Sequence, residues 1–167
     1  MQEIYHFPQA NSPLELAKMQ PLVDFWNLVS SGLSVLGVDF RKTLSLSQLV
    51  RDAGFVNVTE RVFHIPNGTW PKNRMLKVCG LWWKTIILDG LSPIALGPLT
   101  RGLGWTKEEV EGFLVGVRQC LKEGMGATYM PLHVIYGQRP MTDAPGFGKT
   151  ANVGAEDVDE EGEQAEG

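Results

Sequence analysis

The spacing of apolar residues between Ser45 and Ile65 switches from a helical period to a strand period. Leu46, Leu49, Val50 and Ala53 recur at i, i+3, i+4 and i+7. Ser45 and Gln48 have the separation of a capping box, and Gly54 supplies a left-handed stop, so a helix is predicted there. From Phe55 the period is two, with Val56, Val58 and Val62 on one side and Asn57, Thr59 and Arg61 on the other, until Pro66 ends the ladder. The pattern is a helix feeding a half-buried strand.

Upstream, Met1 to Phe7 alternates and is predicted as a strand. Ser12-Pro13-Leu14-Glu15 reads as a helix start in which Ser12 caps, Pro13 takes the first helical position and Glu15 completes a capping box. Leu22, Phe25, Trp26, Val29, Leu33 and Leu36 trace one stripe, which places Trp26 in the core, and Pro21 kinks this helix or splits it in two. Downstream, Met75 to Leu99 is apolar almost throughout but carries Lys84, Asp89, Gly90 and Pro93. It is predicted as one or two buried helices roofing a cavity. Thr106 and Glu109 form another capping box, ahead of a helix whose apolar face is Val110, Phe113, Leu114, Val117 and Leu121 and which stops at Gly124. Tyr129 to Tyr136 alternates as a last strand, with Pro131 tolerable only near its beginning.

A chain of 167 residues suffices for one hydrophobic core. Charge divides it. Residues 1–140 hold eleven acids and fourteen bases, whereas residues 141–167 hold eight acids and one lysine. The first region is expected to be the folded domain. The second, which ends EDVDEEGEQAEG, has no apolar period to bury and is expected to be a disordered, solubilising tail. The basic residues of the body are scattered without interleaved aromatics, which excludes nucleic acid as the primary ligand. No stretch approaches the ~20 apolar residues of a membrane span, and the amino terminus has no signal pattern, so an intracellular location, cytoplasm or nucleus, is expected. Cys79 and Cys120 lack metal-ligand spacing; Cys120 falls on an apolar helix face, and no disulfide is expected. Gly146-Phe147-Gly148-Lys149-Thr150 ends like a phosphate-binding loop, but Asp143 stands where the pattern needs glycine, and no strand–loop–helix context flanks it.

Several short motifs recur in a fixed order: Gln2-Glu3; Ala53-Gly54-Phe55; Pro66-Asn67-Gly68-Thr69-Trp70-Pro71-Lys72; Leu103-Gly104-Trp105 followed by Glu108-Glu109-Val110; and Tyr129-Met130-Pro131 with Tyr136-Gly137. In that order they resemble the carboxy-terminal portion of fungal LaeA-like methyltransferases, a group of class I S-adenosylmethionine-dependent enzymes. The resemblance implies an α/β fold, the last part of a Rossmann-like sheet. Met1–Phe7 would be its fifth strand, Phe55–Ile65 its sixth and Leu132–Tyr136 its antiparallel seventh, with a helical insertion between the last two. It also implies that four strands carrying the cofactor's glycine-rich turn and ribose-binding acid should precede Met1, so the chain alone is expected to bind S-adenosylmethionine poorly.

What the resemblance leaves to these residues is the acceptor side, since ligands in such sheets lie at the carboxyl ends of strands. Trp70 and Trp82 are candidate apolar walls, and Glu3, His6 and His133 are candidates to assist deprotonation of an acceptor. Core packing is the stronger account of a tryptophan in an apolar helical segment, and a single strand histidine is more often structural than a general base, so no residue is assigned as catalytic, cofactor-binding or metal-ligating. Three readings fit the sequence. The first is part of a methyltransferase acting on an unidentified small-molecule or protein acceptor, tied by the resemblance to secondary metabolism and inactive without its cofactor half. The second is a non-catalytic regulatory protein derived from one, with a partner covering the open sheet edge. The third is an unrelated small α/β ligand-binding domain. Deleting residues 141–167 is expected to leave the thermal unfolding midpoint unchanged by scanning calorimetry; a large drop would show that the tail packs on the body.

Overall fold

In the computed structural model, which describes residues 1–123 and 126–141, the chain runs β1 (Gln2–Ile4), β2 (Gln9–Ala10), α1 (Pro13–Ala17), α2 (Gln20–Val35), α3 (Leu46–Asp52), β3 (Val56–Pro66), α4 (Arg74–Leu96), α5 (Lys107–Glu123) and β4 (Thr128–Gln138). A 3-10 turn, Lys42–Ser45, precedes α3, and a π-helical segment, Gly97–Gly102, extends α4. The result is a small open antiparallel sheet with helices packed on it.

The sheet is organised by β4. Along one edge β3 pairs with it from Val56↔Gln138 to Pro66↔Tyr129; along the other lie β1, with Glu3 opposite His133, and β2, with Gln9 opposite Tyr129. Pro131 therefore sits inside a central strand, not near the start of an edge, which corrects the expectation. Its carbonyl accepts from the Tyr5 amide at 2.8 Å, so its backbone faces the gap between Ile4 and Gln9, where no ladder needs the missing N–H.

The predicted two-sidedness of β3 fails for a local reason. Asn57 adopts a φ of 52°, and the register skips between Val56 and Thr59. This bulge reverses the alternation: Val56 faces Gln138 and Val62 faces His133, an odd number of residues apart on β4, so the two valines lie on opposite faces. The strand is also more open than a half-buried one, with Val62 and Phe63 both about half exposed.

Helix α3 ends as predicted. Gly54, at φ 88°, lets its own N–H reach the Arg51 carbonyl and the Phe55 N–H reach Val50, a Schellman arrangement. The helix also starts where expected, with Ser45 at the N-cap, but the capping box does not form: Ser45 Oγ donates to the Lys42 carbonyl and Gln48 to Asp52, and Leu49 and Ala53 remain exposed. The box at α1 is absent too. Glu15 instead accepts from Lys18 Nζ and from the Ala127 amide, tying a five-residue helix to the start of β4. The box at α5 does form, with Thr106 N–H on Glu109 and Glu109 N–H on Thr106 Oγ1 at 3.2 Å.

The core gathers the buried face of α2 (Leu22, Phe25, Trp26, Val29), that of α5 (Val110, Leu114, Val117, Leu121), Ile87, Leu91 and Ala95 of α4, Leu99, and Met130. Each fully buried aliphatic side chain contributes on the order of 1.5–3 kcal/mol. The helix predicted to break near Pro21 does so at Lys18–Met19, whereas Leu36, assigned to the stripe, is exposed. Cys120 is core, its Sγ 3.9 Å from Met19 Sδ, and burial pushes its thiol pKa up; Cys79 is exposed, and both are free thiols. Residues Met75–Leu96 form one helix, not a buried pair. Met75, Leu76, Val78, Leu81, Trp82 and Ile86 of its first half face out, which corrects the reading of a buried roof. Among the described residues no helix is long and apolar enough to cross a membrane. The tail, the Gly146–Thr150 motif and the stop at Gly124 lie outside the described residues.

Helix α4 approaches the β3–α4 turn so closely that a Cβ on Gly80 would collide with the Gly68 carbonyl oxygen, whereas the space beside Gly116 of α5 is open. Gly80→Ala is expected to destabilise by ~1–3 kcal/mol through forced displacement. Gly116→Ala is expected to stabilise by ~0.5–1 kcal/mol through helix propensity. Urea unfolding of the two variants checks both signs.

Candidate functional site

Where β1 ends, the chain turns across α2, and three consecutive aromatic side chains meet the loop that leaves that helix. His6 lies 4.8 Å from the Trp26 ring and stacks on Phe40 at 4.9 Å and 22°. Phe7 packs on Tyr5 at 5.0 Å. Gly37, at φ 81°, ends α2 and turns residues 38–41 back onto this cluster. Burial lowers the His6 pKa, against the opposing effect of a hydrogen bond to the Ile4 backbone, so its imidazole is neutral at pH 7. A neutral ring that donates to a carbonyl through one nitrogen keeps the other as a proton acceptor.

Beside this cluster opens a cleft of about 260 Å³ whose wall includes Glu3, His6, Phe40, Lys42, Thr43 and Leu46. Two of the sequence candidates, Glu3 and His6, thus share one space: a carboxylate and a neutral imidazole at an aromatic wall, able to take a proton from a ligand held there. The other three do not line it. His133 is buried on β4 directly opposite Glu3. Trp70 donates its indole N–H to the Thr128 carbonyl at 2.9 Å, and Trp82, 64% exposed, points outward from α4.

The motif around Trp70 is a structural lock. Asn67 is fully buried; its side chain donates to Thr128 Oγ1 at 3.2 Å and accepts from Trp83 Nε1 at 3.1 Å, while its amide donates to the Thr128 carbonyl. One asparagine thereby ties the end of β3 to β4 and α4.

The residues the sequence reading missed are Asp39, Phe40, Lys42 and Thr43, which form one side of the cleft, and Glu60. They fall in a segment without apolar periodicity, where the only signal was Gly37 followed by an aromatic and two bases. Glu60 joins the two faces of the problem. An ionised carboxylate can only accept, so His133 Nδ1, 2.7 Å from Glu60 Oε1, is the donor. That bond, then one from Ser47, with Arg51 adding attraction, holds the Glu60 carboxyl below its usual range against the opposing effect of burial. Because α3 buries no residue of its own, this polar contact is a main tie between it and the sheet.

Relatives of the chain include proteins named as methyltransferases. The chain is 28% identical over 147 residues to the probable methyltransferase tdiE of Emericella nidulans, covering 87% of this chain and 45% of that protein. It is 35% identical over 97 residues to the methyltransferase pytC of Aspergillus terreus, covering 58% of this chain and 30% of the other. The secondary metabolism regulator LAE1 of Cochliobolus heterostrophus is 32% identical over 94 residues, 56% of this chain and 31% of its own. The chain resembles the carboxy-terminal portion of LaeA-like fungal methyltransferases. It spans less than half the length of each of these curated relatives. No family model matches it, and no solved structure does.

The Glu60 contact has a pH signature. A folded-state pKa below the ordinary value of about 4.5 gives stability that is complete above that value and is lost as the pH falls through the folded one. The difference in unfolding midpoint between wild type and Glu60→Gln is therefore expected to be constant above about pH 5 and to close under more acid conditions. A pH series of thermal melts tests it; a difference that persists unchanged in acid would show that the carboxylate's charge is irrelevant.

Proposed function

We propose that the body of this chain is the acceptor-side portion of an S-adenosylmethionine-dependent methyltransferase, with the methyl acceptor entering the cleft between Glu3 and His6. The carrying observation is that cleft: it runs along β1 from Met1 past Glu3 to His6, and it sets two proton acceptors against an aromatic wall. The relatives' names supply the reaction class. The assignment of β1, β3 and β4 to the fifth, sixth and seventh strands is supported by an antiparallel last strand paired with both others and by α4 and α5 lying between β3 and β4.

The cofactor itself does not fit the described residues. The left-handed glycine turn that follows a strand and opens on a helix, at Gly68, is filled by protein: Asn67 is buried on Thr128 and Trp83, and the Gly68 carbonyl is pressed against Gly80. No phosphate-loop-like or ribose-binding cradle stands open there. The chain's own residues would orient an acceptor and hold its proton. His6, neutral and fixed between Trp26 and Phe40, takes the proton, and Glu3 at the rim stabilises the charge that results.

A second reading, a non-catalytic interaction protein, is favoured by the exposed apolar run Met75, Val78, Trp82 and Ile86 on α4 and by the regulator among the relatives. One experiment separates them. Residues 1–140 replace the matching segment of the Emericella nidulans relative, and radiolabelled methyl transfer from S-adenosylmethionine is measured on extract metabolites. Transfer that falls ~10²-fold or more in His6→Ala is expected, the usual scale for loss of a general base. A chimera that binds cofactor and transfers nothing would sink the acceptor-side reading. Titration calorimetry of the 167-residue chain with S-adenosylmethionine is expected to give no saturable heat.

A further inference from the structure

Sharing Val38, Asp39 and Phe40 with the Glu3–His6 cleft is a larger one, about 580 Å³, of different character. Its lining includes Asn27, Ser30, Ser31, Ser34, Asp39 and Arg41. The first four fall at positions i, i+3, i+4 and i+7 of α2, so one helical stripe next to the buried apolar face carries only an amide and three hydroxyls. Arg41 closes the cleft in a fixed pose. Its guanidinium carbon stands 4.0 Å over the Phe7 ring; Nη1 donates to Tyr5 Oη at 3.3 Å and Nη2 to Asn27 Oδ1 at 3.4 Å. All three partners are neutral. Among the described residues no carboxylate lies within ion-pair distance of this guanidinium, since Asp39 turns its Oδ1 to the Arg41 backbone amide at 2.9 Å.

A planar cation clamped by an aromatic face and two neutral acceptors is oriented without being neutralised, and it keeps N–H groups in the fork geometry that matches a carboxylate. The hydroxyl stripe offers donors and acceptors alongside. Ser31 already donates to the Asn27 carbonyl at 2.9 Å and so presents its oxygen as an acceptor. Asp39, in the same lining, weighs against a dianion more than against a singly charged group.

We propose that this cleft is a binding site for a small hydroxylated carboxylic acid, with Arg41 taking the carboxylate and the serine stripe of α2 taking the hydroxyls. The site needs no cofactor and does not depend on methyl transfer.

Lactate is the probe. Titrated into the ¹⁵N-labelled 167-residue protein at low ionic strength, it is expected to shift the Arg41 side-chain Nε–H and the Ser30, Ser34 and Gly37 amides together. The shifts should saturate with a dissociation constant on the order of 1–10 mM, within reach of a ligand this size. Arg41→Gln should abolish the saturation. Arg41→Lys, which keeps the charge and most of the stem packing but loses the fork, should weaken it ~10-fold, and α2 amide positions in either variant report whether the fold is kept. Shifts that stay linear to high concentration, saturation that survives in Arg41→Gln, or inorganic phosphate binding as tightly as lactate would each overturn the proposal.

Discussion

The arrangement rests on the pairing of β4 with a strand from the start of the chain and another from its middle. Residues 2–4 and 56–66 flank it on its two edges, so side chains far apart in sequence become neighbours: Glu3 with His133, and His133 with Glu60. Loop-closure entropy opposes such long-range pairing, and what offsets it here is two-sided burial. The helical core takes Met130, while Ile135 and His133 are buried beside α3. The lack of an N–H at Pro131 falls where the edge is broken between β1 and β2, and that break is what lets residues 5–8 leave the sheet and cross α2. The aromatic cluster is a consequence of that departure.

The cluster fixes two compartments at once. Phe40 stacks on His6 and, with Val38 and Asp39, lines both the small aromatic-walled space and the larger polar one. His6 and Arg41 are each held by aromatic contacts on one side and a hydrogen bond on another. Burial drives the imidazole of His6 neutral, while the guanidinium of Arg41 stands exposed.

Periodicity revealed the helices whose apolar face is buried. Leu22 through Val29 and Val110 through Leu121 read correctly because a helix packed on one side imprints its period on the sequence. At α3 the period revealed the helix but overstated its burial, and in the first half of α4 an almost continuous apolar run without a clear period faces out. Capping boxes were legible only as possibilities of spacing. Thr106 and Glu109 form one, but at α1 a neighbouring lysine and a distant amide compete for the glutamate and win. The alternation of β3 was broken by one left-handed asparagine, which no count of valines could reveal. Of the site, Glu3 and His6 were visible as titratable groups on a predicted strand, but their companions Asp39, Phe40, Lys42 and Thr43 come from a loop whose position depends on Gly37 and on what the loop lands upon.

That dependence also explains the one buried donor left without a partner. Trp26 Nε1 meets no acceptor among the described residues, a deficit of roughly 1–3 kcal/mol for a buried polar group. The indole is held by packing, wedged between His6, Phe25 and Phe40, and any rotation that freed its N–H would break all three contacts. The same aromatic packing half-buries His6 and lowers its proton affinity. The unpaired indole and the lowered imidazole pKa thus have one cause, an aromatic cluster that gives neither polar group full solvation, and that cluster stands beside Glu3 in the cleft wall.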